Sequence, residues 1–309
     1  MVAMMGTPAN RALCLGLATG AAVLATAVCG FAQEVIKPTE DVEHSRARLA
    51  TSWARSGQPM PADQEQLDQM VRETRFVDLA KRLQSADTVD AVHLDLNWEQ
   101  ARIFAGGGFL LALNYTHDLW RSGISAPPPV SDELKRAAGM MLIYTFSLVE
   151  IDGTQCGDPT APRHRIEQLA QQGRPILAYV KSLPRDQRMK LGTAALTVEA
   201  ATAPVRGKDE VLCRDGLQQM MANSKALGDN PAPEMPCPPG VIGTCKSIPD
   251  DPNFRVPFLP ARQWKPKQTE VREKMPTALT QMLADPNGAA GAPAPANPSF
   301  RAVPSRPTQ

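Results

Sequence analysis

Two pairs of histidine and aspartate residues are the side chains best suited to acid–base chemistry. His93 lies two positions before Asp95, and His117 is directly followed by Asp118. An imidazole beside a carboxylate can act as a general base with an orienting partner, or the two can bind a metal ion. The same residues can also form a polar stripe that a neighbouring helix satisfies, because further polar residues stand three before and four after His117.

A second candidate site depends on a disulfide between Cys156 and Cys213, which would join two polar loops. The guanidinium groups of Arg163 and Arg206 lie at these two loops, and each offers paired N–H donors that match an anionic or sugar-like ligand. Charged residues beside a disulfide more often cap helix ends and fix loops, so this structural role is the alternative. The ligand-binding candidates are Asp158, Arg163, His164 and Arg206, and the acidic residues expected near them are Asp152, Glu199 and Asp209.

The first 32 residues have the pattern of a cleavable export signal. Arg11 is their only charged residue, and an uncharged run of small and aliphatic residues follows it as far as Cys29. A positive segment before an apolar one is typical of a signal peptide, and the small residues that follow predict cleavage after Ala32. An uncleaved anchor is the alternative, although it needs about 20 strongly apolar residues. A lipoprotein attached through Cys29 is less favoured, because Val28 precedes it.

Two of the six cysteines would leave with the signal, and four would stay in the exported chain. An even number of cysteines in an oxidising compartment predicts two disulfides, for which three pairings exist. We favour a bond between Cys237 and Cys245, because one loop rich in proline and glycine encloses both, and this leaves Cys156 to pair with Cys213. A metal site is the alternative, but the chain has no Cys-x-x-Cys spacing. We therefore expect no metal and no cofactor.

Charge and motif content argue against several functions. Removal of Arg11 lowers the number of basic residues from 33 to 32, which equals the 32 acidic residues. A neutral chain has no overall field to draw it to nucleic acid or anionic lipid, so we expect no nucleic acid partner. The chain also lacks a Gly-x-Ser-x-Gly elbow, a phosphate-binding loop, a His-Glu-x-x-His motif and a haem-attachment motif.

Apolar residues recur at helical spacing from about residue 39 to residue 227, and no stretch alternates with a period of two. This predicts an all-α domain of about seven helices. The run from Ala137 to Val149 carries no charge and is too short to span a bilayer, so we expect it to be the central buried helix. Further helices are predicted over Glu40–Ser56, from Pro61, over Trp98–Arg121, after Arg163, after Pro175, over Arg185–Thr202 and near Asp215–Leu227.

The predicted helix Trp98–Arg121 contains three glycines, Gly106 to Gly108, at its centre. Glycine costs about 1 kcal/mol relative to alanine inside a helix. Either the helix breaks here or a neighbouring element packs against the bare backbone. Close packing is favoured over a phosphate cradle, because no strand precedes the glycines. Asn97 is the expected N-cap of this helix, and Asp87–Asp95 is expected to be a linker.

Proline content changes after Gly228, since 17 of the 29 prolines lie in residues 229–309. We therefore predict three parts: a signal peptide 1–32, a helical domain 38–228, and a proline-rich, largely irregular tail 229–309 that is disordered from about residue 289. One amphipathic helix, Arg272–Leu283, is expected within the tail.

Three stretches in the middle of the chain resemble exported helical proteins of Proteobacteria that have no assigned activity. They are residues 152–163, residues 202–206 and the pair Leu212-Cys213. The resemblance supports export and the pairing of Cys156 with Cys213, and it implies no activity.

These observations predict a periplasmic or secreted protein that works as a non-enzymatic interaction or binding module. Its tail would contact another protein of the bacterial envelope, because proline-rich segments lose little entropy on binding. One alternative is a hydrolase or metal-assisted enzyme built on the histidine and aspartate pairs. The other is a carrier of a small anionic ligand held by Arg163 and Arg206. No transmembrane helix is expected once the signal is removed.

Overall fold

The computed structural model describes residues 35–38, 58–235 and 245–284, all within one compact unit that begins at Val35. The described part contains ten α-helices and one pair of two-residue strands. The all-α prediction is confirmed, with more helices than the sequence suggested. The helices are α1 (Gln64–Arg72), α2 (Phe76–Gln84), α3 (Val89–Phe104), α4 (Phe109–Ser125), α5 (Val130–Asp152), α6 (Thr160–Gln172), α7 (Arg174–Ser182), α8 (Arg185–Thr202), α9 (Leu217–Leu227) and α10 (Ala261–Ala284), and the strands are β1 (Glu234–Met235) and β2 (Cys245–Lys246).

Some predictions concern residues outside the described ranges. These are the signal peptide 1–32, the helix Glu40–Ser56, the position of Cys237 and the tail from about residue 289. They stay predictions.

Helix α5 is the centre of the core. No charged residue occurs between Ala137 and Val149, so no side of this stretch requires water. Four consecutive residues, from Met141 to Tyr144, are buried. Buried hydroxyl groups are satisfied within the helix, since the Thr145 hydroxyl donates to the Met141 carbonyl at 2.8 Å. Because α4, α6, α7, α8 and α10 all pack against α5, the prediction of a central buried helix is confirmed.

The glycine segment 106–108 separates α3 from α4. Gly106 has a φ of +100°, a conformation that residues with a side chain rarely adopt. A Cβ atom at Gly106 would also overlap the carbonyl group of Val205. Both alternatives from the sequence, a helix break and close packing of another element, therefore apply.

Helix α3 begins earlier than predicted. It starts at Val89, so the expectation of a linker over Asp87–Asp95 is wrong. Thr88 provides the N-cap, because its hydroxyl accepts the backbone N–H of Ala91 at 3.2 Å. Acidic residues such as Asp95 are buried on the inner side of this helix. They interrupt the apolar residues that would otherwise recur at helical spacing, so the sequence did not predict the start of the helix.

Asn97 is not the N-cap that the sequence suggested. It lies in the middle of α3 and is buried. Its side-chain amide donates to the backbone carbonyl of Pro59 at 3.0 Å. The residue therefore ties α3 to the segment that precedes α1, a long-range contact that local sequence does not reveal.

The predicted disulfide between Cys156 and Cys213 is confirmed, with 5.2 Å between the two Cα atoms. Both cysteines are buried. The bond joins the segment that follows α5 to the loop before α9, and closing a loop of 57 residues stabilises the fold by about 4 kcal/mol on the chain-entropy account. Cys245 is disulfide-bonded, but its predicted partner Cys237 lies outside the described residues.

The helical domain extends beyond the predicted boundary at residue 228. Helix α10 packs against α8 and α5 and buries Met275, Leu279 and Leu283 in the main core. These side chains recur every fourth residue, which places them on one helical face. The predicted amphipathic helix Arg272–Leu283 is confirmed as the second half of α10, but the helix begins at Ala261, and both Pro266 and Pro276 lie inside it. Residues 261–284 are therefore part of the domain.

Candidate functional site

A partly open cleft of about 330 Å³ lies between the glycine segment 106–108 and the loop 206–211. A cleft of this size can hold a small ligand or part of a larger one. Thr74, in the turn between α1 and α2, lines it with a φ of 57°. This conformation is strained for a β-branched residue, and such strain is often found at functional sites. The apolar residues that line the cleft are Val71, Phe76, Leu110, Leu111 and Val211.

Arg206 and Asp152, which also line the cleft, form a buried ionic cluster with Glu199. Arg206 Nε donates to Asp152 Oδ2 at 2.7 Å, and Nη2 donates to Glu199 Oε1 at 2.7 Å. Burial raises the pKa of the Asp152 carboxyl, and the Arg206 guanidinium opposes that rise. The structure thus brings together three of the charged residues that the sequence placed near the disulfide.

Arg206 has no donor left for a ligand. Its remaining N–H groups donate to the Glu199 carbonyl, the Thr202 hydroxyl and Asp152 Oδ1, so all five guanidinium donors are used inside the protein. The anionic-ligand hypothesis required this guanidinium to be free. For Arg206 the hypothesis is wrong, because the acidic residues predicted beside it take up its hydrogen-bonding capacity.

The other ligand-binding candidates do not join Arg206. Arg163 and His164 are exposed on α6, where the Arg163 guanidinium lies 3.8 Å from the Glu167 carboxylate. Asp158 is buried and caps helix ends: its carboxylate accepts the backbone N–H of Thr160 at 2.9 Å and that of Gln218 at 2.7 Å. The alternative of helix capping near the disulfide therefore applies to Asp158.

Helix α10 adds two side chains to this cluster that the sequence reasoning missed. Arg272 Nη2 donates to Glu199 Oε1 at 3.1 Å, and Gln268 Nε2 donates to Asp152 Oδ1 at 3.1 Å. They were missed because the whole C-terminal region was assigned to the tail. Their spacing of four residues on one helical face was the available signal.

Asp209 fixes the wall of the cleft at the start of α4. Its carboxylate accepts the backbone N–H of Phe109 at 2.6 Å and that of Leu212 at 3.0 Å. A Cβ atom at Gly108 would overlap this carboxylate. The glycine is thus required by the close approach of a capping aspartate, which occupies the helix end where an anion would otherwise bind.

The first histidine and aspartate pair does not form a site. His93 is exposed, whereas Asp95 is buried and its carboxylate lies 3.0 Å from the Arg82 guanidinium. Residues two apart on a helix point about 200° away from each other, which explains the difference. A general base and its orienting partner must be in contact, and His93 and Asp95 lie in separate surroundings.

The second pair belongs to a polar cluster between α3 and α4. The Asp118 carboxylate lies 3.1 Å from the Arg121 guanidinium, and burial raises the pKa of Asp118 to about 6. His117 is half-buried, and burial lowers the pKa of its imidazole. Within the described residues His117 Nε2 has no hydrogen-bond partner. The polar stripe that the sequence suggested on this helix is satisfied only in part, because Arg121 Nη1 donates to the Gln84 carbonyl of α2 at 3.4 Å, whereas Asn114 Nδ2 has no hydrogen-bond partner among the described residues.

Glu99 is the buried carboxyl group that the sequence reasoning missed. It lies on α3 and is completely buried, and neither carboxyl oxygen has a hydrogen-bond partner among the described residues. The available signal was its position four residues after Asp95, since this spacing places both acids on the same side of the helix.

Helix α9 has the reverse of the usual distribution of polar and apolar residues. Gln219 and Asn223 are 3% and 8% exposed. Leu217, Met220 and Met221 are 49%, 60% and 64% exposed, and we call these three residues the α9 outer face. The sequence predicted this helix but gave no reason to expect its apolar side in solvent.

No protein-family model matches the chain, and comparisons with curated proteins and with solved structures return no match. Within residues 35–38, 58–235 and 245–284, no group of three or more histidine, cysteine, aspartate or glutamate side chains is arranged to hold a metal ion. In the same part of the chain, no helix has both the length and the apolar character needed to cross a membrane.

Proposed function

We propose that the protein is an exported, non-enzymatic binding module, and that a partner protein docks on the α9 outer face. The observation that carries the proposal is the reversed polarity of α9. Large apolar side chains that stay together on an exposed surface are typical of protein interaction sites. The confirmed disulfide supports export, because structural disulfides persist in oxidising compartments.

Hydrogen bonds from the inner side of α9 keep its apolar side outward. The Gln219 and Asn223 amides donate to Asp250 Oδ1 at 3.2 and 2.8 Å. The Asn223 side-chain oxygen accepts the backbone N–H of Asp251 at 2.9 Å. Rotation of the helix to bury its apolar residues would break these bonds and leave the amides unsatisfied. The exposure of the α9 outer face is therefore built into the fold.

Methionine suits a docking surface. Its side chain is unbranched and polarisable, so it adapts to different apolar partners. Two of the three residues of the α9 outer face are methionines. We infer that the partner presents an apolar segment, since the outer face itself offers no charged group to pair with an ionic one.

Site-specific photo-crosslinking tests this proposal. A photoreactive amino acid replaces Met220 in the full chain, and the matched control carries it at Val77, which is 69% exposed on α2. After irradiation in the native envelope, we expect one specific protein adduct from position 220, and its loss when Leu217→Gln is added. Equal adducts from both positions, no adduct, or an adduct only with a second copy of this chain would contradict the proposal.

The proline-rich tail is proposed as a second contact with an envelope protein. Its test must leave α10 in place, because α10 belongs to the core. Removal of residues 289–309 is therefore the appropriate deletion. We expect it to weaken the adduct formed at position 220 without changing the thermal unfolding temperature. An adduct of unchanged yield would remove the tail from the proposal.

Binding of a small apolar ligand in the cleft is a second candidate function. The cleft volume and its apolar walls favour it. We expect the neutral dye N-phenyl-1-naphthylamine to gain fluorescence with the wild-type protein. Leu110→Trp, which narrows the cleft, should abolish the gain, while Val77→Trp should leave it unchanged. An equal signal from both variants would show that the dye binds elsewhere.

A further inference from the structure

Glu99 lies in surroundings that oppose a negative charge. Burial raises its pKa well above the ordinary value of 4.5, and the carboxylates of Asp118 and Asp95 raise it further, while Arg121 opposes them. Tyr115, also buried on α4, is affected in turn, since burial and the Glu99 charge raise the pKa of its phenol. Glu99 therefore keeps its proton to a higher pH than an exposed glutamate does.

The cation that acts on Glu99 is Arg121, and its guanidinium lies 3.1 Å from the carboxylate of another acid, Asp118. Asp95, the second acid that acts on Glu99, lies 3.0 Å from the Arg82 guanidinium of α2. Neither carboxyl oxygen of Glu99 receives a hydrogen bond from the described residues. An ionised carboxylate without a partner is strongly disfavoured inside a protein. Loss of the proton would leave a buried charge without a hydrogen-bond partner, and this favours movement of the Glu99 side chain toward water.

Glu99 lies on the helix, α3, that leads into the glycine segment lining the cleft. Helices α3 and α4 pack against each other, and the glycine segment 106–108 that joins them lines the cleft together with Leu110 and Leu111. Glycine offers the backbone freedom that a change of angle between two helices needs. A change in the packing of α3 on α4 would therefore alter the shape of the cleft.

We propose that Glu99 is a proton-operated latch between α3 and α4. With its proton, the side chain stays buried and the two helices stay packed. Without it, the side chain moves toward water, α3 loosens from α4, and the cleft changes shape through the glycine segment. The latch does not depend on docking at the α9 outer face, so either proposal can fail without the other.

Carbon-13 NMR of the glutamate carboxyl groups tests the latch in the full exported chain. With resonances assigned through the backbone, we expect the Glu99 carboxyl to titrate at a midpoint well above 4.5, and the amides of α3, α4 and the glycine segment to shift with the same midpoint. Glu99→Gln should remove this shared transition, and Glu273→Gln, at an exposed position of α10, should leave it intact. Titration of Glu99 near 4.5, or a raised midpoint with stationary amides, would overturn the proposal.

A second variant keeps the test informative if Glu99→Gln fails to fold. Asp118→Asn removes a like charge near Glu99, so the Glu99 midpoint should move down. An unchanged midpoint would contradict the electrostatic part of the argument. In the wild type, unfolded Glu99 loses its proton near pH 4.5 while the folded protein retains it. Stability should therefore fall as the pH rises from 4.5 toward the folded pKa and should level off above it.

Discussion

Helices α9 and α10 are both amphipathic, but α10 buries its apolar side and α9 exposes it. Helix α10 buries Met275, Leu279 and Leu283 although it contains two prolines, whereas α9 contains none and exposes its large apolar residues. The difference lies in their polar contacts. Arg188 Nε of α8 donates to the Leu283 carbonyl at 2.6 Å and so binds the end of α10 to the core. In α9, Asp250 instead accepts hydrogen bonds from the two inward amides, Gln219 and Asn223, and these bonds favour the orientation that leaves the apolar side in solvent.

The largest difference in the free energy of unfolding is expected between substitutions at the buried residues of α10 and substitutions at the exposed residues of α9. Leu279→Ala should lower the free energy of unfolding by about 2–5 kcal/mol, because it leaves a cavity in the core. Leu217→Ala, the matched change on the α9 outer face, should alter it by no more than about 0.5 kcal/mol. Urea denaturation monitored by circular dichroism measures both. Similar losses would show that both helices pack in the same way.

A smaller effect is expected at the contact that orients α9. Asp250→Ala removes the acceptor of both inward amides and should cost about 1–3 kcal/mol of unfolding free energy. Asp229→Ala, at an exposed position after α9, is the control and should cost almost nothing. The same urea titration applies. No loss at position 250 would mean that the amides find other partners and that Asp250 does not set the orientation of the helix.

The smallest effect is expected on the α9 outer face itself. Replacement of Met220 and Met221 together by glutamine should change the free energy of unfolding by less than about 0.5 kcal/mol, because both side chains already face water. The same double variant should lose the photo-crosslink introduced at Leu217. A loss above 1 kcal/mol in differential scanning calorimetry would show that the methionines support the fold.

The sequence predicts the central parts of the fold well. Helix α8 has the bounds expected from its flanking prolines, and the uncharged centre of α5 is buried as expected. The disulfide and the approach of Asp152 to Arg206 also followed from cysteine spacing. All of these depend on local patterns or on one covalent link, which the sequence favoured because a single loop encloses the other two cysteines.

Other parts depend on contacts that no local pattern shows. The start of α3 was missed because Asp95 and Glu99 interrupt its apolar side, and both acids face inward. Only the second half of α10 was predicted, as a helix over Arg272–Leu283, and it was assigned to an irregular tail because of the prolines around it. The outward face of α9 depends on Asp250, which lies 27 residues after Asn223. In each case the position of the helix, or the side that faces inward, depends on contacts with residues far away in the sequence.

Methionine oxidation provides the most direct test that a partner covers the α9 outer face. Exposed methionines are oxidised to sulfoxides by dilute peroxide, and buried ones are protected. In the purified chain, Met220 and Met221 should oxidise rapidly, while Met275, which is 7% exposed, stays protected as an internal control. In the native envelope, Met220 and Met221 should become protected as well. Equally rapid oxidation of these two residues in both settings would contradict the proposed docking surface.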